Sequence, residues 1–304
     1  MKGIDISRFN GAVNWAQADA SGLDFALVKA GYGNDISQKE PLFDADVSGA
    51  LAHSLYVGAY WFGYAVSPAD AVREAGVFRQ VLSPYRGKLA FPVAYDFEDD
   101  SLRYFREQTG REPSNAEIDA IARAFLDAMK AAGWYVCLYT NLNFIRTERF
   151  QPATLKAYDL WLADYSGGPD YTCGIQQTSD TGTVPGISGH VDLDVSFKDY
   201  PSILRAGGYN GFPKKNSVEI DTTMDVSRKP GQTYAVKTVS ALPVTLTAGT
   251  AGVVKITPLP RSGNVQLFAL TADGKPGQAA GIYTAVAGEK PQKRFVFRIT
   301  GAAP

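Results

Sequence analysis

Cysteine is nearly absent from the 304 residues: only Cys137 and Cys173 occur, in the strand-like stretches YVCLYT and TCGIQQTS. Two thiols make no disulfide framework, and their apolar settings predict two buried free cysteines. Histidine is as scarce, with His53 and His190 far apart. With no CxxC and no His–Cys cluster, neither a structural nor a catalytic zinc site is expected, and no cofactor. No run of 18 apolar residues exists, so no segment is expected to span a membrane. The first strand pattern starts at Lys2, so no secretory leader is expected within this sequence.

Net charge is almost absent too, at −1, but that value conceals an asymmetry. Residues 1–204 carry 17 Lys and Arg against 26 Asp and Glu, a balance of −9, whereas residues 205–304 carry 13 against 5, a balance of +8. An acidic part joined to a basic part predicts two modules with different tasks. The length and the 45% hydrophobic content are ample for more than one core.

Along the first 200 residues strand and helix patterns alternate. Strands are expected at 2–7, 25–31, 56–64, 89–98, 135–141, 160–165, 174–179 and 190–197, mostly as continuous apolar runs of the kind parallel strands show. Ser114 and Glu117 form a capping box ahead of a helical repeat from Ile118 to Met129, and Gly133 stops it. Ser67 and Pro68 open a second helix that runs to residue 82. The last strands are joined by loops too short for full helices. The fold class is therefore α/β: a modified (β/α) TIM-like barrel with an irregular second half, expected over residues 1–208. Residues 209–217 read as a linker. From 218 to 304, six short strands at about ten-residue spacing, separated by turns such as KPGQ and DGKPG, predict a small all-β sandwich.

The stretch FPVAYDFEDD, residues 91–100, carries the chemistry. A strand of apolar residues runs into four acids, and barrel active sites form at the C-terminal strand ends. Acids near those ends are Asp5 on the first strand, Asp96 and Glu98 on the fourth, Asp164 on the sixth, and Asp192 and Asp194 on the eighth. Since the first and eighth strands meet in a closed barrel, Asp5 and Asp192 are expected at the same mouth as Asp96 and Glu98. Asp194 reads as an acid turned the other way, and Asp99 and Asp100 as solvated loop residues. Crowded carboxylates repel, so one stays protonated near neutral pH while another ionises, which is what cleavage of a glycosidic bond requires. Residues i and i+2 of a strand lie roughly 6.6 Å apart on one face, so Asp96 and Glu98 can flank one bond. Lys29 is the nearby cation. Tyr32, Tyr60, Tyr64, Tyr139 and Tyr165 lie at or near strand ends where sugar rings stack, while Asn141 and Gln177 can bond hydroxyl or N-acetyl groups. Trp61 and Trp161 are assigned to the core.

The blocks GIDIS (3–7), LVKAGYG (27–33), VGAYWFGY (57–64), YDFED (95–99), WLADY (161–165), IQQTS (175–179) and GHVDLDVS (189–196) resemble, in order, those of glycoside hydrolase family 25, the lysozymes or N-acetylmuramidases. The resemblance covers residues 1–204 and implies hydrolysis of the β-1,4 bond between N-acetylmuramic acid and N-acetylglucosamine in peptidoglycan. It implies Glu98 as general acid, Asp96 as its partner in stabilising the reacting sugar or orienting its N-acetyl group, and Asp5 and Asp192 as two further site acids. Tyr60, Tyr139, Tyr165 and Gln177 fall at positions that resemble substrate contacts. Where the family often has Trp-Gln-Tyr, this chain has Gln176-Gln177-Thr178, a departure expected to alter the shape of the subsite. The alternatives are a chitinase-like N-acetylhexosaminidase, which lacks support because no Asp-x-x-Asp-x-Asp-x-Glu run ends the fourth strand, and a non-catalytic sugar-binding barrel. The expected setting is extracellular or at the cell wall, with peptidoglycan strands as partner and a monomeric chain. Anionic wall polymers are a further partner, reached through the basic C-terminal part; nucleic acid and membrane are not expected partners.

Overall fold

A computed structural model of the chain describes residues 1–212, 218–240, 242–287 and 289–301. The chain divides into two compact units, Met1–Lys214 and Lys215–Pro304.

In the first unit eight strands close into a barrel in chain order: β1 (Lys2–Ile6), β2 (Phe25–Tyr32), β3 (Tyr56–Phe62), β4 (Val93–Asp96), β5 (Val136–Asn141), β6 (Asp159–Ala163), β7 (Ile175–Gly182) and β8 (Val191–Ser196). The helices are α1 (Trp15–Ala20), α2 (Phe43–Ala52), α3 (Pro68–Leu82), α4 (Asp99–Thr109), α5 (Asn115–Ala131), α6 (Leu142–Arg146), α7 (Pro152–Ala157) and α8 (Tyr200–Gly207). The cap and proline predicted for α3 and the capping box predicted for α5 are present, with the Ser67 hydroxyl accepting from Asp70 N–H and the Ser114 hydroxyl from Glu117 N–H.

β1 to β7 run parallel, but β8 is antiparallel to both of its neighbours. The reversal of β8 has a reason of length. The segment between Gly182 and Val191, TVPGISGH, is too short for a parallel crossover, which needs a dozen or more residues. The fourth strand is also shorter than expected, Val93–Asp96, because Pro92 cannot join the ladder and Glu98 already caps α4.

Alternation sorts the barrel side chains. One set, including Trp61, Tyr95 and Phe97, packs outward against α3 and α5, where Tyr95 stacks on Phe125 at 3.9 Å. The inward set fills the barrel: Phe25, Phe91 and Tyr200 plug its base, with Phe25 stacked on Phe91 at 4.3 Å. Gly3 is required beside them, since a Cβ there would lie 2.4 Å from the Phe25 ring. Above come Leu27, Ala94, Cys137 and Ile175, then Tyr60, Tyr139 and Trp161, and the acids crown the stack. Cys137 is buried and Cys173 half-buried, and both are free.

Tyr209–Gly211, expected to begin the linker, instead form a 3-10 turn locked onto the barrel. Asn210 is fully buried; its amide donates to Leu89 O and Phe91 O at 2.9 Å, and its carbonyl oxygen accepts from Tyr135 N–H. The remainder of the expected linker, 213–217, lies outside the described residues.

The second unit holds two four-stranded sheets. One has the order β10 (Val226–Arg228), β16 (Gln292–Ile299), β15 (Ala279–Ala285), β12 (Thr245–Ala248); the other has β13 (Val254–Pro258), β14 (Val265–Ala272), β11 (Thr233–Val239), β9 (Glu219–Ile220). Val236, Phe268 and Leu270 of one sheet and Leu246, Ile282 and Phe297 of the other belong to one apolar core. Regular spacing and the turns between them made six of these strands legible, whereas β9 and β10, only two and three residues long, were not.

Candidate active site

Asp96 is the last residue of β4 and points into the barrel mouth. It is buried, and its Oδ1 has no hydrogen-bond partner. Glu98 stands just beyond the strand in an extended conformation, as N-cap of α4, with its N–H bonded to Ser101 Oγ at 3.1 Å. The two acids therefore do not share one face of a strand, as their spacing predicts. The chain turns into a helix between them, and the turn brings both carboxyls to one mouth. Burial pushes Asp96 well above the usual carboxylate range, with Glu98 adding repulsion and Lys29 opposing it. Burial, then Asp99 and Asp100, raise Glu98 to about 7, again against Lys29. Asp99 and Asp100 are exposed as expected, but they start a helix rather than a loop and act on Glu98 through repulsion.

Across the mouth, Asp5 on β1 faces Asp192 on β8 in direct register. The reversal of β8 explains why an acid near its beginning lies level with acids at the ends of parallel strands. One pair deeper, Asp194 lies opposite Gly3, and its Oδ1 accepts from Trp161 Nε1 at 2.7 Å. Asp194 is thus not turned away: it shares the inner face with Asp192, as residues two apart on a strand must. Gln177 ties this side together. Its amide donates to Asp5 Oδ2 at 2.7 Å, and its carbonyl accepts from Tyr139 and Tyr165 hydroxyls at 3.0 and 2.8 Å. Burial, then Asp194 and Asp192, hold Asp5 well above its ordinary value; burial also raises Asp194, to about 8, and Asp192.

Lys29 lies on the inner face of β2 with its Nζ 4.7 Å from the Phe62 ring centre and 6.0 Å from that of Tyr60. It lines a cavity of about 290 Å³ with Arg8, Phe9, Tyr32, Tyr64 and Asp100. Tyr60 packs edge-on against Trp161 at 5.5 Å, and Tyr139 does so at 4.7 Å. Trp161 is therefore the floor of the site as well as core. Asn141 caps α6 by accepting from Phe144 N–H at 2.9 Å, a structural task its sequence setting did not reveal. Asp164 leaves the list: it accepts from Ser166 and Asp170 N–H groups in its own loop, which hold its carboxyl below the usual range.

Glu74 escaped sequence reading altogether. It is buried in α3, accepts from Tyr64 N–H at 2.7 Å and Tyr95 hydroxyl at 2.9 Å, and burial raises it to about 7. Its helical spacing from Ala71, Ala75 and Phe78 was the available signal. A larger cavity, about 570 Å³, opens beside Asp159 at the start of β6. Asp159 is fully bonded there, by Tyr135, Tyr200 and Lys198, and serves the fold.

A family model described as Glycosyl hydrolases family 25 matches residues 4–187. The chain belongs to glycosyl hydrolases family 25. Its family 25 region is 30% identical over 197 residues to an autolytic lysozyme of Clostridium acetobutylicum, covering 64% of this chain and 55% of that protein, so the chain spans about half the length of that relative. It is 34% identical over 208 residues to Lysozyme M1 of Streptomyces globisporus, covering 63% and 66%. The crystal structure of the spore cortex lytic enzyme SleM of Clostridium perfringens is similar in fold, with a TM-score of 0.56, 16% identity, and coverage of 98% of this chain and 97% of that one. Within this family 25 barrel, Asp5, Asp96 and Asp192 all act on the Tyr60 hydroxyl, and Asp192 acts on Glu98.

Proposed function

We propose that the barrel hydrolyses the β-1,4 bond between N-acetylmuramic acid and N-acetylglucosamine in peptidoglycan, with Glu98 as proton donor. The observation that carries this reading is the Asp96–Glu98 pair, which retains a proton to about neutral pH at an aromatic-lined mouth. Membership of family 25 and the lysozyme names of the two relatives support the substrate class.

Glu98, the member of the pair open to the mouth, gives its proton to the glycosidic oxygen as the bond breaks. With the pair's one proton on Glu98, Asp96 stands as the anion under the reacting sugar, and Lys29 favours that ionised state against the burial that opposes it. Asp96 also orients the N-acetyl group of the reacting sugar. Asp5 and Asp192 border the same ring, while Tyr60, Tyr139, Tyr165, Gln177 and Asn141 line its approach. Purified peptidoglycan is the test. Wild type clears its turbidity and leaves N-acetylmuramic acid at the new reducing ends, read by mass spectrometry; N-acetylglucosamine there would reject the bond assigned. Glu98→Gln loses about 10²- to 10⁴-fold in rate while remaining folded. Equal clearing by the variant would reject Glu98 as the acid.

We further read the barrel as a modified (β/α) TIM-like barrel and the second unit as an accessory β-sandwich. The enzyme acts as a monomer, outside the cell or at the wall. The +8 balance of residues 205–304 suits attraction to anionic wall polymers. Binding of the full chain to walls that weakens as salt rises, and that is reduced on walls stripped of anionic polymer, is the expected result.

A further inference from the structure

Neither the family resemblance nor the substrate reading gives a role to Asp194 or Trp161. The two form a buried couple beneath Asp5. Asp194 is 2% exposed and lies in register between Gly3 of β1 and Gln177 of β7. The Trp161 indole N–H fixes its Oδ1, while its Oδ2 is buried with no N–H or hydroxyl to bond it. The Asp5 carboxyl lies within hydrogen-bonding reach of both Asp194 and Asp192. Two carboxylate oxygens repel unless a proton lies between them.

The position of that proton follows from Gln177. Its carbonyl oxygen accepts two phenol hydroxyls, which fixes the orientation of the amide and directs its N–H at Asp5 Oδ2. Oδ2 is thus an acceptor, and a proton on Asp5 belongs on Oδ1, where Asp194 and Asp192 can receive it. We propose that Trp161 and Asp194 are positioning residues that keep Asp5 a neutral carboxylic acid, its one proton shared with Asp194, while Asp192 stands as the anion at the mouth. The charged groups facing this trio fit that division. Asp180 beyond it on β7 repels Asp192, Glu98 and Asp192 repel across the mouth, and Asp96 acts on Tyr60 together with Asp5, Asp192 and Glu40. Lys29 acts on the opposite pair, Asp96 and Glu98. Burial and the two like charges raise Asp5 in the direction a retained proton requires.

The test is a titration of the side-chain carboxyls of the full chain by ¹³C NMR, with Asp5 and Asp194 assigned from Asp5→Asn and Asp194→Asn. In the wild type the Asp5 carboxyl stays protonated through pH 7. In Asp194→Asn the new amide still accepts from Trp161 through its oxygen but donates to Asp5 through its nitrogen. Asp5 then ionises at least about one pH unit lower, a tenfold loss of proton affinity. Trp161→Phe provides an independent reading if Asp194→Asn does not fold: without its N–H donor, Asp194 holds its own proton to a higher pH than in the wild type. An Asp5 that titrates in the ordinary carboxylate range, or that titrates unchanged in folded Asp194→Asn, overturns the assignment. So does an Asp194 unmoved by Trp161→Phe. The readout is proton affinity rather than turnover, so failure of the peptidoglycan reading leaves this outcome distinguishable.

Discussion

Two groups of carboxyls face each other across the barrel mouth, and they deal with the same repulsion differently. Asp96 and Glu98 have a cation, Lys29, within electrostatic range. Asp5, Asp192 and Asp194 have instead an amide, an indole and shared protons. A cation holds carboxyls near the point where a proton leaves, whereas neutral donors in a buried setting let a proton stay. The first arrangement suits a group that must release its proton during turnover, and the second suits one that must keep its shape.

The largest blow to this contrast is Gln177→Leu. It removes the Asp5 donor and leaves the buried Tyr139 hydroxyl without its acceptor, costing about 1–3 kcal/mol in chemical denaturation as well as activity. Stability against pH comes next. Glu98 holds a proton to about 7, above the value of 4.5 it would have unfolded. The folded chain therefore binds more protons than the unfolded chain between those values, so the stability this group contributes is full below about 4.5 and is lost as pH rises through 7. Melting temperature falls from pH 5 to pH 8, and Glu98→Gln flattens the decline; a rise across that range would contradict the shift. Lys29→Met acts on the first group alone. With its cation gone Glu98 keeps its proton to a pH above about 7, and the alkaline limb of kcat/KM moves upward. The smallest effect is expected from Asp99→Asn combined with Asp100→Asn. Relief of repulsion lowers Glu98, and the same limb moves down by a fraction of a pH unit, because both acids are exposed.

The sequence made these two groups unequally legible. Apolar runs revealed the barrel, and acids at strand ends revealed Asp5, Asp96, Glu98 and Asp192 as candidates, since both signals are local. What stayed hidden depended on partners distant in the chain. The direction of β8 is set by the short 183–190 connection, and only that direction puts Asp192 level with Asp5. The period-two rule that singled out Asp96 and Glu98 applied equally to Asp192 and Asp194, yet it was Asp194 that stayed on one face with its neighbour while Glu98 left its strand. Trp161 looked like core because an indole in a strand usually is core; its bond to Asp194 spans 33 residues and leaves no mark in its own segment. Glu74 was invisible because its partners, Tyr64 and Tyr95, come from other elements.

The antiparallel seam between β1 and β8 also bears on how this site tolerates change in length. Direct opposition of Asp5 and Asp192 exists only in one register, and side chains alternate strictly on both strands. Deleting one residue at the start of β8 would put Leu193 and Val195 into the mouth and send both acids into the outer layer. A deletion scan should thus find β8 far less permissive than the 183–190 loop just before it. For descent within such a family, the seam is a place where residues can be exchanged but the spacing between them cannot drift.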